Sequence, residues 1–217
     1  RRTAHKDGAA FPLYVSSRRS RLRWLSMKPE EENAMPVPPI DLKKVWEAGQ
    51  HFGDWLAAAK PPMREEMEQI YKDVVLPPGD AHFLHVIEGP VHVLAIAEDW
   101  CGDVRRNTPV LARMCAAGPN LHLRLVAKEA DPHLMARYLT NGAEAIPIFI
   151  FLSPQFVEVG HWGPRPYECK RLMARGKACG KIDDARAAIK KFYTEDPHRS
   201  TVQELKQLFE IASTGSV

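Results

Sequence analysis

Apolar positions follow two rhythms along this chain. Behind Asp41, a residue suited to capping, Leu42, Val45, Trp46, Phe52, Trp55 and Leu56 recur at helical intervals and predict one helix from Ile40 onward. Pro61-Pro62 stops it and starts a second, in which Met63, Met67, Ile70, Tyr71 and Val74 fall at steps of three and four. Pro77-Pro78-Gly79 ends that one, and Ala81 to Glu88 reads as a short helix or as irregular chain. The rhythm then changes. Val91–Ala97 is a short apolar run of strand length, followed by a helical pattern over about Gly102–Ala117, a strand at Leu121–Ala127 and a helix at Asp131–Thr140. Strands at Ile148–Leu152 and Phe156–His161 are joined through Ser153-Pro154-Gln155 as a hairpin. After Gly163-Pro164-Arg165-Pro166 come helices at Tyr167–Arg175, Ile182–Tyr193 and Thr201–Ser213. Asp183 and Asp184 suit the second start, and Ser200 or Thr201 with Glu204 reads as a capping box on the third.

Strands separated by helices and closed by a hairpin make an α/β domain in the order βαβαββα, with a right-handed crossover between the first two strands. The pattern predicts one domain over residues 40–217: a helical preface at 40–89, a core at 90–176 and C-terminal helices at 177–217. Residues 1–39 read as a basic tail and a Pro/Glu-rich linker.

Composition sharpens this in two respects. The net charge of +3 is unevenly spread: residues 1–28 carry eight basic residues and one acid, Asp7, whereas the rest carries 22 basic against 26 acidic. A mildly acidic body does not suit nucleic acid as a partner. The basic start could mimic a transit peptide, or be a disordered tail or sequence foreign to the natural protein; Met27 or Met35 would be plausible initiators. No stretch approaches the roughly 20 apolar residues of a membrane span or a secretory core, so no membrane is expected. The four cysteines (Cys101, Cys115, Cys169 and Cys179) are widely spaced in a chain large enough not to need staples. Free thiols in a reducing, cytoplasmic compartment are therefore expected. No C-x-x-C pair, H-E-x-x-H, phosphate-cradling glycine loop or G-x-S-x-G occurs, so neither a metal nor a nucleotide is expected.

The candidate chemistry sits where the first strand hands over to its helix, at Trp100-Cys101-Gly102-Asp103-Val104. Unpaired N–H groups and the helix dipole favour negative charge at such a start, and a thiolate is the form that benefits. Cys101 is thus the candidate reactive cysteine, with Arg105 and Arg106 adding positive charge and Asp103 opposing it. A free cysteine is otherwise most often a small buried apolar residue. Cys115 lies roughly 20 Å further along the same helix, beyond the Cα separation of about 4.4–6.8 Å that a disulfide allows.

Trp100-Cys101-Gly102 at this junction, with Ala145-Ile146-Pro147 before the later apolar strand, resembles the thioredoxin superfamily from Val91 to about Gly176. The resemblance implies a thioredoxin-like fold, a central four-stranded mixed sheet with Leu121–Ala127 at one edge, then Val91–Ala97, Ile148–Leu152 and Phe156–His161. It implies a cis bond before Pro147, set beside Cys101, and an Ile146 main chain that pairs with a peptide or glutathione. The loop His161–Pro166 would flank the site, with Trp162 and Trp100 as an aromatic rim and Arg165 holding a carboxylate or sulfenate. Cys169, about one turn into the following helix, would lie near the site, either as a resolving thiol or as a core residue. The departures are equally informative. The family's second cysteine is Val104 here, and its buried acid, six residues before the first cysteine, is Ala95. The site so read comprises Cys101 as nucleophile, Trp100, Gly102, Ile146, Pro147, Trp162 and Arg165 as substrate contacts, and Val104 as a lost resolving position.

Two functions follow. One is a monothiol oxidoreductase acting through Cys101 on protein or peptide thiols and disulfides, with an external thiol such as glutathione as co-substrate. The other is a peptide- or protein-binding module that kept the groove and lost catalysis. Neither specifies an oligomeric state.

Overall fold

A computed structural model describes residues 39–214; the basic tail and most of the linker read in the sequence lie outside these described residues. Nine helices and four strands occur among them. The preface forms α1 (Leu42–Glu47), α2 (Phe52–Ala58), α3 (Pro61–Asp73) and α4 (Pro78–His85). The core runs β1 (Val91–Ile96), α5 (Gly102–Cys115), β2 (Leu121–Val126), α6 (Leu134–Arg137), β3 (Ile148–Leu152), β4 (Glu158–Trp162) and α7 (Tyr167–Ala178). Two further helices follow, α8 (Ile182–Glu195) and α9 (Arg199–Thr214).

The sheet order is β2-β1-β3-β4. β1 runs parallel to β2 and antiparallel to β3, with Ile96 opposite Val126 on one side and Ile148 on the other. β1 and β3 are apolar almost without interruption because both of their faces are covered. α5 and α9 touch each other and pack on the sheet, α9 through Leu205, Phe209 and Ala212. The edge strand β2 alternates buried and exposed positions.

Four local expectations are corrected. The helix predicted from Ile40 to Leu56 is two helices, because Gln50 leaves helical geometry to pair with the open edge of β2. Its N–H donates to the Leu125 carbonyl at 2.8 Å and its carbonyl accepts from Leu125 N–H at 2.9 Å. Gly49 permits the approach: a Cβ there would lie 2.9 Å from Arg124 Cβ. The helix predicted over Asp131–Thr140 shrinks to one turn, since the Asp131 carboxylate takes the His133 N–H at 2.8 Å and competes with helical bonding. The fourth strand starts late because Phe156 adopts φ +61 in a turn organised by Ser153. The predicted capping box does not form. Asp196 accepts from Ser200 N–H at 3.1 Å, and Glu204 is engaged elsewhere. The Asp41 cap does form, accepting from Lys44 N–H at 3.0 Å.

The preface is fastened to β1 and β2 by an aromatic cluster. The His92 ring stacks on Phe156 at 4.2 Å and meets the edge of Trp46 at 4.7 Å, with His122 at 5.6 Å. Lys43 lies over Phe156 and Arg124 over Trp46. Burial lowers the His92 pKa, a nearby His122 adds to the shift, and the Ser153 carbonyl opposes it. A group depressed in the folded state binds fewer protons there than in the unfolded chain. Its contribution is present above the unfolded pKa of about 6.5 and is lost as pH falls through the folded value. Urea melts of His92→Phe should therefore show a shallower loss of stability than wild type as pH drops from about 7 to 5. Equal slopes would mean that His92 does not titrate on unfolding.

Candidate functional site

β1 ends at Ile96, and the chain turns through Ala97-Glu98-Asp99-Trp100 before α5 begins. Several polar groups of this turn are tied down. Ala97 N–H donates to Val126 O, and Cys101 N–H to Glu98 O at 3.1 Å. The Glu98 carboxylate accepts from Lys128 N–H at 3.0 Å, and Asp99 accepts from Lys60 N–H at 3.2 Å. Arg105, one turn into α5, reaches back to donate to Trp100 O at 2.8 Å and pairs with Glu66 of α3 at 2.6 Å.

Cys101 occupies the cap position of α5, in extended geometry, with Gly102 as the first helical residue. It is partly exposed, and its Sγ donates to the Ile146 carbonyl at 3.4 Å. The Ile146–Pro147 bond is cis, as the resemblance implies, and the Gly163–Pro164 bond is cis as well. Arg106 Nη1 and Arg105 Nη2 stand 3.7 and 3.9 Å from where a Cβ on Gly102 would be, so a methyl there would meet both guanidiniums at ordinary contact distance. The sulfur belongs to the cap residue of a helix start whose first N–H groups take no side-chain cap. Trp100, 59% exposed, stands beside it.

The predicted resolving position is closed. Val104 is fully buried, and so is Ala95, which lies between Leu125 and Phe149 in the sheet. No second cysteine substitutes. Cys115 is buried, and burial pushes its thiol far up. Cys169 is sealed inside the first turn of α7, where burial, despite Arg165, pushes its thiol up to about 12. Cys179 is exposed at the end of α7.

Two predicted contacts are reassigned. Trp162 is 5% exposed, stacks on Phe149 at 5.2 Å and donates its Nε1–H to Glu204 at 2.7 Å. It is a core residue, leaving Trp100 as the exposed tryptophan of the expected rim. Arg165 does hold a carboxylate, but the chain's own: its Nη2 pairs with the buried Asp103. Burial raises the Asp103 pKa, against the pull of Arg165 and Arg106.

The sequence reading missed the part played by Asp103, Gly163 and Arg105. Gly163, at φ +138, lies against the Pro147 backbone so closely that a Cβ would overlap the Pro147 carbonyl oxygen. The Gly-Pro dipeptide marks a turn, but nothing in it says that the turn presses on a distant proline. Among the described residues, no group of three or more His, Cys, Asp or Glu is placed to hold a metal, and no helix is long and apolar enough to cross a membrane.

A mixed sheet with a cysteine at a strand-to-helix junction and a cis-proline against its sulfur defines a protein of thioredoxin-like fold. The chain belongs to the thioredoxin family, whose profile, described as Thioredoxin, matches residues 49–185. Two solved structures share the fold. One is a protein of unknown function from Pseudomonas aeruginosa, 20% identical, with a TM-score of 0.60, covering 77% of this chain and 96% of its own. The other is an HIV epitope scaffold, 18% identical, with a TM-score of 0.59 and the same coverage. No curated protein matches the sequence.

Gly163→Ala should destabilise the protein by about 1–3 kcal/mol, the usual cost of overpacking, in urea melts. A stability within a few tenths of wild type would show that the turn retreats from Pro147 freely.

Proposed function

We propose that this protein carries out monothiol disulfide exchange at Cys101. One observation carries the reading: an accessible sulfur at a helix start touches the Ile146 carbonyl beside cis-Pro147, while the place of a resolving thiol is filled by buried Val104. The Cys101 thiolate attacks one sulfur of a protein or peptide disulfide. A Cys101–substrate bond forms, the original S–S bond breaks, and the other sulfur departs as a thiolate. An external thiol, with glutathione as the class, then attacks the mixed disulfide. It bonds to the substrate sulfur and returns Cys101 as the free thiolate. The substrate disulfide oxidises Cys101 in the first step and the external thiol reduces it in the second, so the protein ends unchanged and the two thiol reagents balance the electrons without a cofactor. An incoming extended peptide would lie along Ile146 and Pro147, over Gly102 and against Trp100. Four cysteines without a disulfide among the described residues suit a reducing compartment such as the cytoplasm.

A second reading, a binding module without turnover, is favoured by Val104 and Ala95 together, since both replace polar chemistry with apolar packing.

A glutathione-coupled disulfide assay separates the two. Wild type should turn over, Cys101→Ser should be inert, and iodoacetamide should label Cys101 and Cys179 in the native protein while sparing Cys115 and Cys169. Val104→Cys should add dithiothreitol-driven insulin reduction that wild type lacks. A wild type as inert as Cys101→Ser in the glutathione assay would leave the binding module standing.

A further inference from the structure

Sulfur and proline come from separate loops, and the contact between them is a single sulfur hydrogen bond of 3.4 Å, Cys101 Sγ to Ile146 O. A second route joins the same two loops. Asp103 is two residues beyond Cys101, in the first turn of α5, and its carboxylate pairs with Arg165. Arg165 follows Gly163-Pro164, whose backbone is packed onto Pro147. The contacts close a ring: Cys101 to Ile146, Pro147 to Gly163, Arg165 to Asp103, and back along the helix to Cys101.

From this ring we infer that Asp103 and Arg165 are the positioning pair of the thiol site, fixing the separation and angle between the Cys101 sulfur and the Ile146–Pro147 edge on which an extended substrate is laid. The inference rests on the disulfide-exchange reading above. Neither residue touches the reacting sulfurs; both act through the two loops they join.

Three observations suit the role. Both side chains are largely withdrawn from water, 12% exposed for Asp103 and 24% for Arg165, so solvent screens the pair little. The Asp103 end is anchored in turn. Asn107 Nδ2 donates to Asp103 O at 2.9 Å and to Tyr193 Oη at 3.1 Å, while Thr201 Oγ1 donates to Asn107 Oδ1 at 3.1 Å. Helices α8 and α9 thereby grip the first turn of α5 from behind. On the Arg165 side, the Gly163 carbonyl also accepts from Lys170 Nζ at 3.5 Å. The charged or titratable neighbours of Asp103 besides Arg165 are Arg106, Cys169 and Tyr193. An ionised Asp103 left without Arg165 would repel the thiolate; paired, it contributes position without net charge.

A positioning pair should matter for a substrate that must be oriented and much less for one that need not be. The probes are a short peptide whose single cysteine carries glutathione as a mixed disulfide, and 2,2′-dipyridyl disulfide, which needs no groove. In each case Cys101 forms one S–S bond as another breaks, and the leaving thiolate is glutathione or pyridinethiolate. The readout is the ratio of the two rate constants at Cys101. In Asp103→Asn and in Arg165→Gln this ratio should fall about tenfold or more, since misplacement by about 1 Å can cost as much as 100-fold. Arg165→Lys, which keeps the charge but not the planar fork, should fall between Arg165→Gln and wild type. If Arg165→Gln does not fold, Asp103→Asn and Arg165→Lys decide. A wild-type ratio in every folded variant overturns the pair's role while leaving disulfide exchange intact. A wild type inert to both disulfides overturns the exchange reading, and the pair with it.

Discussion

Ile96 faces Ile148 across the middle of the sheet, and the site depends on that register. Because β1 and β3 run antiparallel, the end of one and the beginning of the other meet at the same edge of the sheet. The chain leaving β1 therefore delivers Cys101 to the place where Ile146 and Pro147 deliver the entry to β3. A slip of one residue would turn every side chain of a strand to the opposite face. Val93, Leu94, Ala95 and Ile96 pair with Phe151, Ile150, Phe149 and Ile148 in an interior that is apolar on both faces, so close packing of large and small side chains, rather than polarity, holds the register. The sulfur-to-carbonyl contact at 3.4 Å is the outcome of strand pairing first and of local chemistry second.

Around that contact the chain has exchanged one kind of polar apparatus for another. The resemblance places a second thiol at Val104 and a buried acid at Ala95, and both positions are packed apolar. Polarity reappears one step away, in Asp103, Asn107, Tyr193, Thr201 and Arg165, on the side of α5 that meets the C-terminal helices. Such a seam is costly to leave incomplete and specifies a unique arrangement when complete. Its position explains the distribution of the remaining thiols: Cys169 lies in the seam, where the same burial that protects the Asp103–Arg165 pair holds its proton.

The sequence makes the strands, the long helices, the Trp-Cys-Gly junction and the Ile-Pro turn legible, because each is a local pattern. What it hides is set by distant partners. Gln50 looks helical until the open edge of β2 offers it two hydrogen bonds. Asp131 looks like a helix start, and is one residue pattern away from it, but its carboxylate closes a tighter turn. Glu204 has the spacing of a capping box, yet it accepts from Trp162 and from Tyr167 N–H, both far off in the chain. That same bond explains why Trp162 is a core residue: its indole N–H finds a buried acceptor, so the ring loses nothing by leaving solvent. Arg165, set between prolines, is legible as a fixed guanidinium; its partner Asp103 is not, since no periodicity links a helix start to a later loop.

The preface, which sequence alone separates from the core, is the part whose role the geometry changes most. The family match already begins at residue 49, within it. Gln50 supplies the missing edge of β2, Lys60 N–H holds the Asp99 carboxylate, and Glu66 holds Arg105, which in turn holds Trp100 O. These contacts land on β2, on the few residues that bring the chain from β1 to Cys101, and on Arg105 of α5. That turn has only two backbone bonds of its own, Ala97 N–H to Val126 O and Cys101 N–H to Glu98 O, and a loop so placed is ordinarily among the more mobile parts of a domain. Helices that elsewhere would merely cover a sheet here constrain the approach to the sulfur, so Cys101 is held by two routes: by the preface through its own loop, and by Asp103 and Arg165 through the proline.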